Sequence, residues 1–118
     1  MADIRNARIN KVSLTMKDHG CLTFWVFVEG DGWGCGIGGY CIGRGYLGAN
    51  DDYFDGGTGK GLEAMARIMN VVGVESWEDL KDKYCRVEIE SQSSGIHKIG
   101  NILNDKWFDI EALFKEDN

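Results

Sequence analysis

Apolar residues fall at every second position through much of this chain. Ile4, Ala7, Ile9, Val12, Leu14 and Met16 alternate with polar neighbours, slipping register once near Asn6-Ala7-Arg8, which is the two-residue period of a half-buried strand. Lys17-Asp18-His19-Gly20 predicts a turn, because Gly20 can take a positive φ. The run from Cys21 to Val28 follows, with Phe24, Val26 and Val28 on one face and Thr23, Trp25 and Phe27 on the other. Large residues on both faces predict a strand covered on both sides. Glu29-Gly30-Asp31-Gly32 predicts a second turn, so three strands form an antiparallel meander.

The third of these strands is unusual. Trp33, Cys35 and Ile37 alternate with Gly32, Gly34, Gly36 and Gly38, giving one apolar face and one bare face. Glycine costs backbone entropy in a strand and packs nothing, so a bare face implies close approach by an aromatic ring, another chain or a ligand. Gly38-Gly39 breaks the alternation and predicts a bulge, after which Tyr40 and Ile42 continue in a new register. Residues 43–61 read as one long loop, acidic and aromatic, that could act as a lid or a partner-facing arm.

Beyond it the period changes to that of a helix. Leu62, Met65, Met69 and Val72, with Ile68 beside them, predict an amphipathic helix over residues 60–72, Glu63 pairing with Arg67 and Gly73 ending it. Ser76 predicts an N-cap for a short second helix that carries Trp77 and Leu80. Strand alternation returns over Tyr84 to Glu90 and Ile96 to Leu103, with a hairpin turn at Ser91 to Gly95 between them. Ile110, Leu113 and Phe114 mark a short C-terminal helix. The fold class is therefore α+β: one ligand-binding domain spanning residues 1–118, an antiparallel sheet of about five strands, one main helix and short flanking helices.

Charge and composition narrow the function. A formal net charge of −6 disfavours general binding to DNA, RNA or an anionic membrane. No signal peptide and no apolar run long enough to span a bilayer is read from the chain. The cysteines Cys21, Cys35, Cys41 and Cys85 make no CxxC pair, which argues against zinc and for reduced thiols. His19 and His97 are the two histidines, and no nucleophile elbow, HExxH or metal cluster accompanies them. Cys41 or Cys85 could serve as a nucleophile only beside His97. No catalytic residue, metal site or cofactor is assigned, and a binding protein is favoured over an enzyme.

Binding groups are better represented. Tyr40, Tyr46, Phe54, Trp107 and Phe108 could stack on a base, and Arg44, Lys60, Arg67, Lys98 and Lys106 could hold phosphate. Gly56-Gly57-Thr58-Gly59-Lys60-Gly61 lacks the GxxxxGK[ST] spacing and is read as not following a strand, yet a glycine-rich helix start can still receive an anion.

Five stretches carry a resemblance: Ile4-Arg5-Asn6-Ala7-Arg8-Ile9, Lys17-Asp18-His19-Gly20, Gly36-Ile37-Gly38-Gly39-Tyr40, Arg67-Ile68-Met69 through Gly73-Val74-Glu75-Ser76-Trp77-Glu78-Asp79-Leu80, and Ile99-Gly100-Asn101 through Lys106-Trp107-Phe108. In this order and spacing the chain resembles the first Thoeris anti-defence protein family of bacteriophages. The resemblance implies a sponge in the cytoplasm of the infected bacterial host. Such a protein binds cyclic ADP-ribose isomers made by TIR-domain enzymes, glycocyclic ADP-ribose among them, and sequesters them without cleavage. It also implies a homo-oligomer, a dimer or trimer of dimers with pockets shared between protomers, and a separate site for cyclic oligonucleotide signals. The ligand residues expected on this basis are Gly38, Gly39 and Tyr40, Arg44 and Arg67 for phosphates, and Asn101, Lys106 and Trp107. The alternatives are a small acidic inhibitor that binds a host defence protein, and an enzyme that degrades a cyclic nucleotide.

Overall fold

The computed structural model describes residues 3–47, 52–89 and 96–115. Among the described residues, seven antiparallel strands form one sheet in the order β4-β3-β2-β1-β5-β6-β7. They are β1 (Asp3–Asp18), β2 (Cys21–Gly30), β3 (Trp33–Tyr46), β4 (Tyr53–Asp55), β5 (Tyr84–Ile89), β6 (Ile96–Asn101) and β7 (Trp107–Asp109). Helix α1 spans Lys60–Val72, helix α2 spans Ile110–Lys115, and a single 3-10 turn covers Trp77–Leu80.

The predicted meander and the long helix are present. His19 and Gly20 both take positive φ, 52° and 80°, which closes the β1–β2 hairpin tightly. Two of the seven strands were not predicted. β4 and β7 have three residues each, too few to display an alternation, and both lie at sheet edges. The expected loop over residues 43–61 is consequently shorter: β3 runs on to Tyr46 and pairs with β4 through Arg44–Asp55, Gly45–Phe54 and Tyr46–Tyr53. The glycine run before α1 therefore does follow a strand. The ladder of β1 slips between Ile9 and Lys11, at Asn10, and again between Thr15 and Asp18, rather than near Asn6-Ala7-Arg8. The predicted hairpin turn at Ser91–Gly95 lies outside the described residues.

One face of the sheet builds the core. Ile9, Phe24, Val26, Val28, Ile37, Val87 and Ile99 are buried there against Ala64, Met65, Ile68 and Val71 of α1. The helix face differs by one position from the predicted stripe. Leu62 is 71% exposed, and Gly61 takes the inward place instead, its α-carbon pressed onto Ile42 so closely that a β-carbon would collide. Gly73 caps the helix in the left-handed conformation, φ 98°, and returns its N–H to Met69 O at 2.8 Å. Trp77 meets Phe24 edge-on at 5.9 Å, and Leu80 is fully buried, so the 3-10 turn plugs the core as the sequence suggested.

The other face explains the bare strand. Trp25 and Phe27 stack at 5.5 Å and lie across β3, where a β-carbon at Gly36 would come within 2.9 Å of the Trp25 ring. The cover on this second face comes from the rings themselves. Gly38 and Gly39 form the predicted bulge with φ of 120° and 81°. Any side chain there would strike the Phe24 carbonyl or the Trp25 indole. Because Gly36, Gly38 and Gly39 carry no side chains, the Trp25 ring can lie over β3, and the cavity beside it is shared with Ile96, His97 and Ile110. Strands β3 and β6 approach each other there, although β2, β1 and β5 separate them in the sheet.

Candidate functional site

Arg44 lines an open pocket of about 430 Å³ where β3, β4, the start of α1 and α2 meet. Arg44, Cys41, Asp55, Thr58, Gly61 and Phe114 are among its walls. The local folding follows from the glycines. Gly43 lets the Phe54 ring lie on the strand, and Gly61 lets the helix start sit on Ile42. Gly57 (φ 71°) and Gly59 (φ 89°) turn the chain left-handed between β4 and α1, with the Gly57 N–H donated to Asp55 Oδ1 at 2.9 Å. No side chain caps α1 at Gly59, so the positive end of the helix dipole is presented at this pocket.

Arg44 is the cation of the pocket. Its Nη2 donates to Cys21 Sγ at 3.3 Å, and hydrogen bonds to Cys21, then charge interaction with Cys21 and contact with Cys41, raise its pKa further. Cys41 is exposed at the pocket wall, and its thiol pKa is raised first by a hydrogen bond with the Cys21 thiol and next by burial. Lys60 turns instead to α2, where its Nζ donates to the Leu113 carbonyl at 3.0 Å.

A second cavity of about 230 Å³ lies at the β3–β6 seam, lined by Trp25, Gly36, Gly38, Tyr40, His97 and Glu111, among others. The Tyr40 ring stacks on Phe114 at 4.2 Å, nearly parallel. Since Phe114 lines the first cavity and Tyr40 the second, this stack is the partition between them. His97 lies between two carboxylates, Asp109 at 3.8 Å and Glu111 at 3.7 Å. Glu111 is held below its usual pKa by Lys115 first and His97 second, and burial followed by Glu111 raises that of Tyr40. His97 thus serves the second cavity, whereas Cys41 lines the first. Cys85 is fully buried, and desolvation pushes its thiol up to about 12, which makes it inert as a nucleophile.

No protein-family model, curated protein or solved structure matches this chain. The site therefore stands on its own geometry.

Of the predicted ligand residues, Gly38, Tyr40 and Arg44 lie along β3 beside the two cavities. Gly39 follows in the same bulge, beneath the Trp25 ring. Four others lie elsewhere. Arg67 is on the exposed side of α1, bound to Glu63 at 2.7 Å. Asn101 and Lys106 close the far end of the same helix: Asn101 Nδ2 donates to Val71 O at 2.8 Å and Lys106 Nζ to Asn70 O at 3.2 Å. Asn101 Oδ1 also accepts the N–H groups of Leu103 and Asn104, both at 2.9 Å. Trp107 lies over Gly100 with Arg86 above its ring at 5.0 Å. At 1.5 Å per residue, the two ends of a helix this long are about 20 Å apart, so the C-terminal trio and Arg44 do not share one pocket. Cys41, Asp55 and Phe114 were not expected as pocket walls, whereas Thr58 lies in the glycine-rich helix start that was read as able to receive an anion.

Among the described residues no helix is long and apolar enough to cross a membrane.

Proposed function

We propose that this protein is a phage anti-defence sponge that binds and sequesters cyclic ADP-ribose isomers without cleaving them. The observation that carries the reading is the Arg44 pocket: a guanidinium and an uncapped helix start face one cavity beside a Tyr40–Phe114 stack. A cyclic ADP-ribose isomer, one adenine on two riboses closed through a pyrophosphate, needs donors for its phosphates and flat apolar walls for its base. Its volume of about 430 Å³ falls within the range of small-molecule sites. The resemblance in motif order supplies the identity of the ligand. A homo-oligomer in the host cytoplasm, with a further site for cyclic oligonucleotides, belongs to the same proposal.

A second reading has its own support. Tyr46, Leu47, Tyr53 and Phe54 are all exposed on the β3–β4 hairpin, an apolar edge suited to a protein partner. Under that reading the chain inhibits a host defence protein.

The test is to incubate the purified protein with a cyclic ADP-ribose isomer, remove what is unbound, denature by heat and chromatograph the supernatant. Intact ligand released by heat is the expected result. Altered ligand would mean an enzyme and would redirect attention to His97. If nothing is retained and nothing altered, the sponge reading fails for that compound, and capture of a single host protein becomes the next experiment.

A further inference from the structure

We propose that Cys21 and Cys41 are a redox pair: a hydroperoxide joins them in a reversible disulfide across the β2–β3 bulge, at the wall of the Arg44 pocket. The inference is independent of the sponge reading and uses none of its ligand.

Three side chains meet where the ladder is irregular. Cys21 is opposite Arg44, Leu22 opposite Gly43 and Thr23 opposite Cys41, so Ile42 is an extra residue in β3. The bulge brings Cys41 one step back toward Cys21, near enough for the Cys21 thiol to raise the Cys41 pKa, and the Cys41 thiol itself donates to the Gly43 carbonyl at 3.2 Å. Cys41 is exposed and Cys21 is buried behind it, an arrangement with one sulfur open to reagent and a second ready to resolve the product. The Arg44 guanidinium, 3.3 Å from Cys21 Sγ, stabilises negative charge on the sulfur that must attack second. The other two cysteines lack this setting. Cys85 sits fully buried in the core, and Cys35 is opposite Val28 in the ladder, with no second thiol facing it.

The chemistry balances with hydrogen peroxide as oxidant. The Cys41 thiolate attacks one peroxide oxygen; an S–O bond forms, the O–O bond breaks, and the departing hydroxide takes a proton to become water. Cys41 is now a sulfenic acid. The Cys21 thiolate attacks that sulfur; the S–S bond forms, the S–O bond breaks, and a second water leaves. Two thiols and one peroxide give one disulfide and two waters, and a dithiol reductant reverses the step. The bridge ties the pocket wall of β3 to β2 and takes from Arg44 the thiol it now holds.

The test uses the full chain, reduced, then treated with hydrogen peroxide in mildly alkaline solution. That condition is needed because the thiolate is the reacting form. Remaining thiols are capped with N-ethylmaleimide in denaturant, and the protein is digested and weighed. The wild type carries four cysteines; the expected product takes up two maleimides, on Cys35 and Cys85, and yields a linked Cys21–Cys41 peptide. Dithiothreitol restores uptake of four. In Cys21→Ser, Cys41 is expected to climb to the sulfinic acid with no bridge. Four maleimides on the treated wild type, a sulfinic Cys41 beside an alkylated Cys21, or a bridge from Cys41 to any other cysteine would each overturn the proposal.

Discussion

The two ends of helix α1 are finished in different ways. At the C-terminal end the turn is closed by Gly73, and Asn101 and Lys106 reach from the β6–β7 connection to bond the carbonyls of Val71 and Asn70. At the N-terminal end Gly59 caps nothing with a side chain, Thr58 offers Lys60 N only a long 3.4 Å contact, and a cavity opens beside Arg44. Polar side chains at the first end are consumed by the protein itself. Those at the second face a space. Residue type does not separate the two cases, since Asn, Lys and Arg suit a cap and a ligand equally well; what separates them is whether the partner is the chain's own backbone.

The difference can be broken from either end. The largest effect is expected at the closed end. Asn101→Ala removes a donor to the helix and the acceptor of two turn N–H groups, a loss of about 2–3 kcal/mol; chemical denaturation should show the midpoint falling while the remaining folded protein still retains ligand. Next comes Gly61→Ala, which drives a methyl into Ile42 and should lower stability by about 1–3 kcal/mol through overpacking. If its midpoint stays at the wild-type value, the helix start is not seated on β3 as described. Arg44→Ala should do the reverse of Asn101→Ala. Loss of a charge-assisted contact should weaken retention of a cyclic ADP-ribose isomer about tenfold, with the denaturation midpoint unmoved. Retention equal to wild type would take Arg44 out of the site.

The smallest effect belongs to the seam between the two cavities. Glu111 is held below its ordinary 4.5 by Lys115 and His97. A carboxyl with a lowered folded pKa stabilises the fold above its unfolded pKa and loses that contribution as pH falls through the folded value. Acid titration of stability should therefore show a limb below about pH 4.5 that is shallower in Glu111→Gln. Identical acid limbs in the two proteins would mean that the Lys115 contact does not persist in solution.

Much of the fold was legible because period is a local signal. The alternations of Cys21–Val28 and Tyr84–Ile89 and the helical spacing over 60–72 each span enough residues to declare themselves. β4 and β7 do not. Leu62 misled because apolar residues are assigned inward by type, whereas the contact with Ile42 admits only a bare α-carbon at Gly61. In the site, the bulge at Gly38-Gly39 and the glycine-rich helix start could be read directly. The roles of Asn101 and Lys106 could not, because their partners at Val71 and Asn70 are some thirty positions away in the chain and meet them only after folding. The neighbourhood of Cys21 and Cys41 was hidden for a related reason, since it depends on one extra residue in the ladder.

The rings resting on bare backbone also set how this chain can diverge. Positions 36, 39 and 100 each lie beneath an indole, and 38 lies against the Phe24 carbonyl, so none accepts a β-carbon without displacing what covers it. Gly56 has ordinary φ and nothing within 4 Å. In a saturation library selected only for folded protein, the first four positions should return glycine almost alone. Gly56 should return nearly every amino acid, and the contrast would draw the outline of Trp25 and Trp107 in sequence frequencies.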